Sequence, residues 1–493
     1  MIRPLTIAPW EFLVLIIYMI IVGVVFSRHK NIRIKKYPEY RYYIWGLYVK
    51  ILGNLFFSLI YVYYYGNGDT ISFFLSGIPL AELAFEDPLL YIQAIFADNS
   101  WENRYHFFSS STGYPMGYVY IDSRSYMLVR MISPLIILCM QSYLLTGAVV
   151  STIAFGGVWR LYRMFVRYYP DLKWQLAVAI LFFPSAVFWG SGILKDTFTF
   201  TAMCWYISSM DAIFFLKKDR RSAWASAALC AFIMISMKPY VFMMVFPATL
   251  LWILYHRVGS IKNVLFRLLF LPMAFLLLGG LTIFTLQSLG DRLNKFSLDK
   301  ALETVVISQQ DMKRSEQYGE NYVDLGEIEA TWASLLSKFP QATFVGLFRP
   351  ALSEANNVVM LFSALENAWL LLFFLWILIR SRIFHFITLI RTNPLLQMCF
   401  VFAIGYAFMI GITTPNFGAM VRFKIPLLPL FVSGMFITSY ILDRRRETIS
   451  RGDKFRFEWF TNGDQRSGVE QPSRLDHAAS IAHRSWRNRS GLK

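Results

Sequence analysis

FLVLIIYMIIVGVVF (Phe12–Phe26) carries no charge, and SRHKNIRIKK (Ser27–Lys36) follows it at once with Arg28, Lys30, Arg33, Lys35 and Lys36. An apolar run of near-spanning length that ends in a basic cluster is how a transmembrane helix meets the cytoplasm. Further apolar blocks occur, among them Leu268–Phe284 and Ala368–Ile379. So do basic connections: Arg160, Arg163, Arg167 and Lys173; Lys217, Lys218, Arg220 and Arg221; Arg257, Lys262 and Arg267; Arg380, Arg382 and Arg391. Over the 493 residues 56% are hydrophobic and 16% charged, whereas soluble domains carry about 25% charge. The medium is therefore lipid. A net charge of +17 in a soluble chain would suggest nucleic acid. Here the bases sit in alternate connections between apolar runs, so membrane lipids are expected as partners and nucleic acid is not.

These runs predict an all-α, polytopic bundle of about eleven helices, near 8–27, 44–65, 127–155, 174–190, 197–216, 222–236, 241–255, 267–288, 357–379, 394–412 and 426–442. An odd count with basic connections at every second gap places the N-terminus outside and the C-terminus in the cytoplasm, as in a bacterial inner membrane. Two long external connections follow, 66–126 and 289–356. In the first, the apolar runs Ile71–Leu75, Leu80–Phe85 and Leu89–Phe96 suit interfacial helices. One transmembrane domain thus covers 1–442. The basic, polar segment 443–493 reads as a mostly disordered cytoplasmic tail. Cys139, Cys204, Cys230 and Cys399 lie in apolar stretches without metal or disulfide spacing. No P-loop, Gly-x-Ser-x-Gly or His-x-x-x-His is present, so nucleotide-driven pumps and serine or zinc hydrolases lack their parts.

Chemistry concentrates at the external helix ends. YYYGNGDT (Tyr63–Thr70) turns on two glycines and leaves Asp69 at the membrane surface beside aromatic rings. Asp69 is a candidate general base for a hydroxyl delivered from water; the structural alternative is an N-cap for a helix starting at Thr70. FPSAVFWGSGILKD (Phe183–Asp196) brings Lys195 and Asp196 to the start of a helix, behind glycines that allow close backbone approach to a ligand. Lys238, Arg349, Arg422 and Lys424 occupy other external turns. Together with Lys195 they form a cationic set suited to a lipid-linked phosphate or diphosphate. Singly, each could instead snorkel to the interface. Arg130 and Glu366 are charges within predicted helices, where they need a partner or a wet cavity; one option is that they pair.

Asp69, in the first large external loop and followed by interfacial helices, resembles the loop carboxylate of the GT-C superfamily of integral-membrane glycosyltransferases. RFKIPLLP (Arg422–Pro429) looks like the Arg-Tyr-x-x-Pro-x-x-Pro pattern that ends many of its members. The layout these motifs punctuate covers residues 1–442, with one helix added before the loop. The resemblance implies a GT-C-like fold and transfer of a sugar from a polyprenyl-phosphate-linked donor to a glycan or lipid acceptor outside the cytoplasm. Asp69 would activate the acceptor hydroxyl, and Lys195, Arg349 and Arg422 would stabilise the departing phosphate. No cofactor is assigned; a divalent cation is one option, against which stands the lack of a second acidic residue close to Asp69 in the sequence. Other readings are an O-antigen-polymerase-like enzyme joining lipid-linked oligosaccharides, a transporter, and a non-catalytic scaffold of envelope assembly.

Overall fold

The computed structural model describes residues 5–217, 219–258, 306–307, 322–326 and 328–450. Among them all regular secondary structure is helical, apart from one isolated bridge between Tyr322 and Asn416. Among the described residues seven helices are long and apolar enough to cross a membrane: Pro9–Arg33, Pro38–Tyr65, Tyr143–Tyr168, Lys195–Leu216, Val358–Ser381, Pro394–Thr413 and Leu427–Glu447. The first shows why lipid is required. Only 17% of its most apolar stretch is buried, and Leu13, Ile16, Ile17 and Ile20 point outward. Water would penalise each of these faces, and hydrocarbon does not. The protein is a multi-pass membrane protein.

Helices also occupy Arg220–Met237 and Pro239–Val258, where crossings were expected, though neither is among the seven. The expected helix 267–288 lies outside the described residues, as does 451–493 of the expected tail. Within the tail's first residues the chain is still helical, because Leu427–Ser450 continues the last helix. Contacts divide the chain into Met1–Arg444 and Arg445–Lys493, and the features below belong to the first unit.

Two expected helices are corrected. The segment 127–155 is not one helix: Ser123–Leu138 ends, Met140 and Gln141 take left-handed φ of 51° and 56°, and Tyr143–Tyr168 begins. The new start is doubly capped. Ser142 Oγ accepts from the Leu145 amide at 3.1 Å. Glu11 of the first helix accepts from Ser142 Oγ at 2.7 Å and the Leu144 amide at 3.1 Å. These bonds satisfy donors that a continuous helix would have paired itself. The segment 174–190 is likewise two short helices, Lys173–Ile180 and Pro184–Trp189. Pro184 lacks an amide proton and crowds the turn before it, so it opens the second helix.

After the second crossing, Asp69–Glu86 is a single helix containing Pro79, and it packs against Ser123–Leu138. Gly77 permits the contact: a Cβ there would lie 2.4 Å from Ile136 Cδ1. The predicted runs 71–75 and 80–85 are thus parts of one element. Pro88–Phe96, Trp101–Phe107 and Gly117–Ile121 are the remaining helices of the segment 66–126 before Ser123–Leu138. In the later segment, Phe339–Phe348 packs on Pro394–Thr413 at backbone contact.

Candidate functional site

At the end of the second crossing the backbone adopts φ of +69° at Gly66 and +138° at Gly68, values that favour glycine. A Cβ on Gly68 would also stand 2.5 Å from Tyr61 Cε1. The turn delivers Asp69 as the first residue of its helix, not as the cap: Gly68 is the N-cap, and no side chain closes that end. The Asp69 carboxylate is 47% exposed. It borders a cleft of about 440 Å³ lined also by Leu5, Ser72, Leu75, Met116 and Tyr118. Tyr118 donates to Ser72 Oγ at 2.6 Å, and Ser72 in turn to the Gly68 carbonyl at 3.1 Å.

Arg422 approaches from behind, on the helix Phe417–Phe423, whose start Asn416 caps through the Ala419 amide at 3.0 Å. Its Nη1 donates to Asp69 Oδ2 at 2.8 Å, and its Nε stands 3.3 Å from Asp196 Oδ2. Burial works against the guanidinium charge, but Asp196 and Asp69 more than offset it and raise its pKa. Asp196 is itself 3% exposed and takes a second cation, Lys238, through Oδ1. Lys238 lies 3.7 Å from the centre of the Phe423 ring. Burial pushes its pKa down to about 8, against the pull of Asp196.

Next to Asp196, Lys195 donates to Ser125 Oγ at 2.9 Å and stands 3.4 Å from Asp122 Oδ2. Asp122 caps Ser123–Leu138. Partial burial would raise its pKa, yet the Ser125 hydrogen bond and the Lys195 charge prevail and lower it. Asp69, Arg422, Asp196 and Lys238 therefore alternate in sign, with Lys195 and Asp122 alongside. Asp69, Lys195, Asp196, Lys238 and Arg422, expected at this face, are joined in one cluster.

Each of the three cations Lys195, Lys238 and Arg422 has a carboxylate partner in this cluster. Two further members of the expected set stand apart. Arg349 pairs with Glu354, its Nε 3.0 Å from Oε2, and stacks 5.3 Å from the Phe417 ring. Lys424 is buried and donates to the carbonyls of Leu347 at 3.2 Å and Arg349 at 2.9 Å, and to Asn367 Oδ1 at 2.8 Å. Three acceptors exhaust an ammonium group. Lys424 thus holds the end of Phe339–Phe348 and has no proton left for a phosphate.

Arg130 and Glu366 do not pair. Arg130 bonds Asn99 Oδ1 at 3.0 Å and the Ala97 carbonyl, and lies over the Tyr126 ring at 4.9 Å. Glu366 accepts from the Ser185 amide at 2.8 Å, closing the start of Pro184–Trp189. The glycines before Lys195 serve packing instead of a ligand: a Cβ on Gly192 would sit 2.2 Å from Phe57 Cε1. Sequence reasoning passed over Lys50, a buried ammonium donating to the Ala186 carbonyl at 3.2 Å. Its signal was plain, a lone charge inside the apolar run Ile44–Phe57.

Among the described residues no group of three or more His, Cys, Asp or Glu side chains could hold a metal ion. All four cysteines are buried and unpaired. No protein-family model, curated protein or solved structure matches this chain.

Proposed function

We propose that this protein is a membrane glycosyltransferase of GT-C type, moving a sugar from a polyprenyl-phosphate donor to a cell-envelope glycan or lipid acceptor on the non-cytoplasmic side. One observation carries the reading: the Asp69 carboxylate faces an open cleft while its other side is fixed by Arg422. An acceptor hydroxyl in the cleft would give its proton to Asp69 as its oxygen bonds the anomeric carbon. The bond from that carbon to the lipid phosphate breaks, the phosphate leaves with the electron pair, and the centre inverts. Arg422 acts as a positioning residue, itself held by Asp196. Lys195, at the edge of the cluster, would stabilise the departing phosphate.

Eleven crossings, an outside N-terminus and a bacterial inner membrane belong to the same proposal. Its support is the separation of charge. Lys195–Asp211, sixteen steps of 1.5 Å, or about 24 Å long, starts in the Asp69 cluster. It ends where Asp211 meets Arg167, among the basic connections.

The test is envelope-glycan and lipid-intermediate analysis of a deletion strain carrying wild type, Asp69→Asn or Asp69→Glu at equal membrane levels. Asp69→Asn should cut transfer about 100-fold or more, leaving a glycan short of one sugar. Intact single units without long chains would identify a polymerase instead. Because the cations of the cluster are matched by carboxylates, a second reading is a non-catalytic assembly component, and an unchanged glycan in Asp69→Asn would decide for it.

A further inference from the structure

At the opposite end of the Lys195–Asp211 helix lies a cavity of about 1010 Å³ that plays no part in the chemistry above. Its walls carry Arg33, Arg160, Arg163, Arg167 and Lys173 against the carboxylates Glu39, Asp211 and Asp219. Two of the cations are matched: Arg163 stands 3.5 Å from Glu39, and Arg167 binds Asp211, which also accepts from Tyr168 at 2.6 Å. Arg33, Arg160 and Lys173 form no ion pair among the described residues. Among the described residues Arg33 donates to Tyr40 at 3.0 Å, and Arg160 lies over the Trp205 ring, 4.4 Å from its centre. Ser209, 2% exposed, lines the same cavity with a hydroxyl that has no hydrogen-bond partner. A buried donor left unmade costs stability, so its presence in a cavity that also carries unpaired cations points to an anionic ligand.

A groove of about 200 Å³, walled by Ile153, Ala154, Trp205, Leu229 and Ile233, lies next to the cavity, and Ser226 lines both. Trp205 belongs to the groove and Arg160 to the cavity, so their contact marks the boundary. A charged chamber with an apolar groove beside it matches an amphiphile in polarity. Bidentate guanidinium groups suit phosphoryl oxygens, and the groove suits a chain.

We infer that this chamber and groove bind one phosphate-bearing lipid, its phosphate or diphosphate head among Arg33, Arg160 and Lys173 and its chain against Ile153 and Leu229. An anionic phospholipid and a phosphorylated polyisoprenol share that chemistry. The site stands whether or not Asp69 is a catalytic base, since no residue is common to both.

Native mass spectrometry of the full chain in neutral detergent tests it. The probes are a polyisoprenyl monophosphate, phosphatidylglycerol, the unphosphorylated polyisoprenol and inorganic diphosphate. A phosphorylated lipid should bind at least about tenfold tighter than the alcohol. Arg160→Gln should weaken it by a similar factor, as should Ile153→Trp, which fills the exposed groove; thermal unfolding of both variants should match the parent. Tight binding of the polyisoprenyl phosphate alone assigns the site to a carrier lipid, and equal binding of phosphatidylglycerol assigns it to bulk phospholipid. The inference is overturned if the alcohol binds as well as its phosphate. It is also overturned if no lipid binds, or if diphosphate binds as tightly as the lipids with Ile153→Trp without effect.

Discussion

Asp69 and Asp196 share one guanidinium, yet their surroundings give them different work. Asp196 is buried between Arg422 and Lys238, so removing its charge strands Lys238 and leaves Arg422 with Asp69 alone. A buried pair broken from one side costs about 3–5 kcal/mol, and Asp196→Asn should lower thermal stability in detergent accordingly. Asp69 is half exposed, and Arg422 keeps Asp196 without it. Asp69→Asn should therefore cost no more than about 1 kcal/mol. Equal destabilisation by the two variants would remove the distinction between a positioning carboxylate and a reactive one. Much of this cluster was legible from its residue types: glycines at 66 and 68 announce a turn, and charges at helix ends announce an interface. The pairing was not. Lys424 lies two residues from Arg422, but its acceptors are the carbonyls of Leu347 and Arg349, which no side-chain pattern advertises.

Hydropathy locates helices well and their breaks badly, since a break inside an apolar run changes composition little. Between 127 and 155 the clues were Gln141 and Ser142, a polar pair whose serine caps the next helix. Near 184 the clue was the proline. A different signal, small residues four apart, was present in Ala342-x-x-x-Gly346 and Ala407-x-x-x-Gly411. It brings two helices to backbone contact: a Cβ on Gly346 would stand 2.0 Å from the Ala407 carbonyl oxygen, and one on Gly411 2.0 Å from that of Ala342. Neither obstacle is a side chain that can swing away. Gly346→Val or Gly411→Val should cost about 1–3 kcal/mol or more, seen as lower unfolding temperature and poorer membrane yield. Gly405→Ala, on the same helix but facing only Met244 Sδ at 3.5 Å, is the control and should be tolerated. Parent-like stability of Gly411→Val would show that the two helices do not sit this close.

Charge is polarised along the Lys195–Asp211 helix, with the Asp69–Arg422–Asp196–Lys238 cluster at one end and Arg33, Arg160, Arg163, Arg167 and Lys173 at the other. That asymmetry was the most readable property of the sequence, because it needs only the order of apolar and basic segments. It yields a labelling experiment with little background, since the four native thiols are buried. Tyr118→Cys, at a position 64% exposed, should react with an impermeant maleimide in intact cells. Lys36→Cys should react only after lysis. Reversed reactivity, or labelling of both from one side, would overturn the orientation and the catalytic proposal that needs it. One more consequence comes from Leu5, which precedes the first helix and forms part of the wall beside Asp69. Any epitope, affinity handle or reporter fused ahead of it is threaded past that doorway, and should be compared with an untagged version before a weak phenotype is credited to a point mutation.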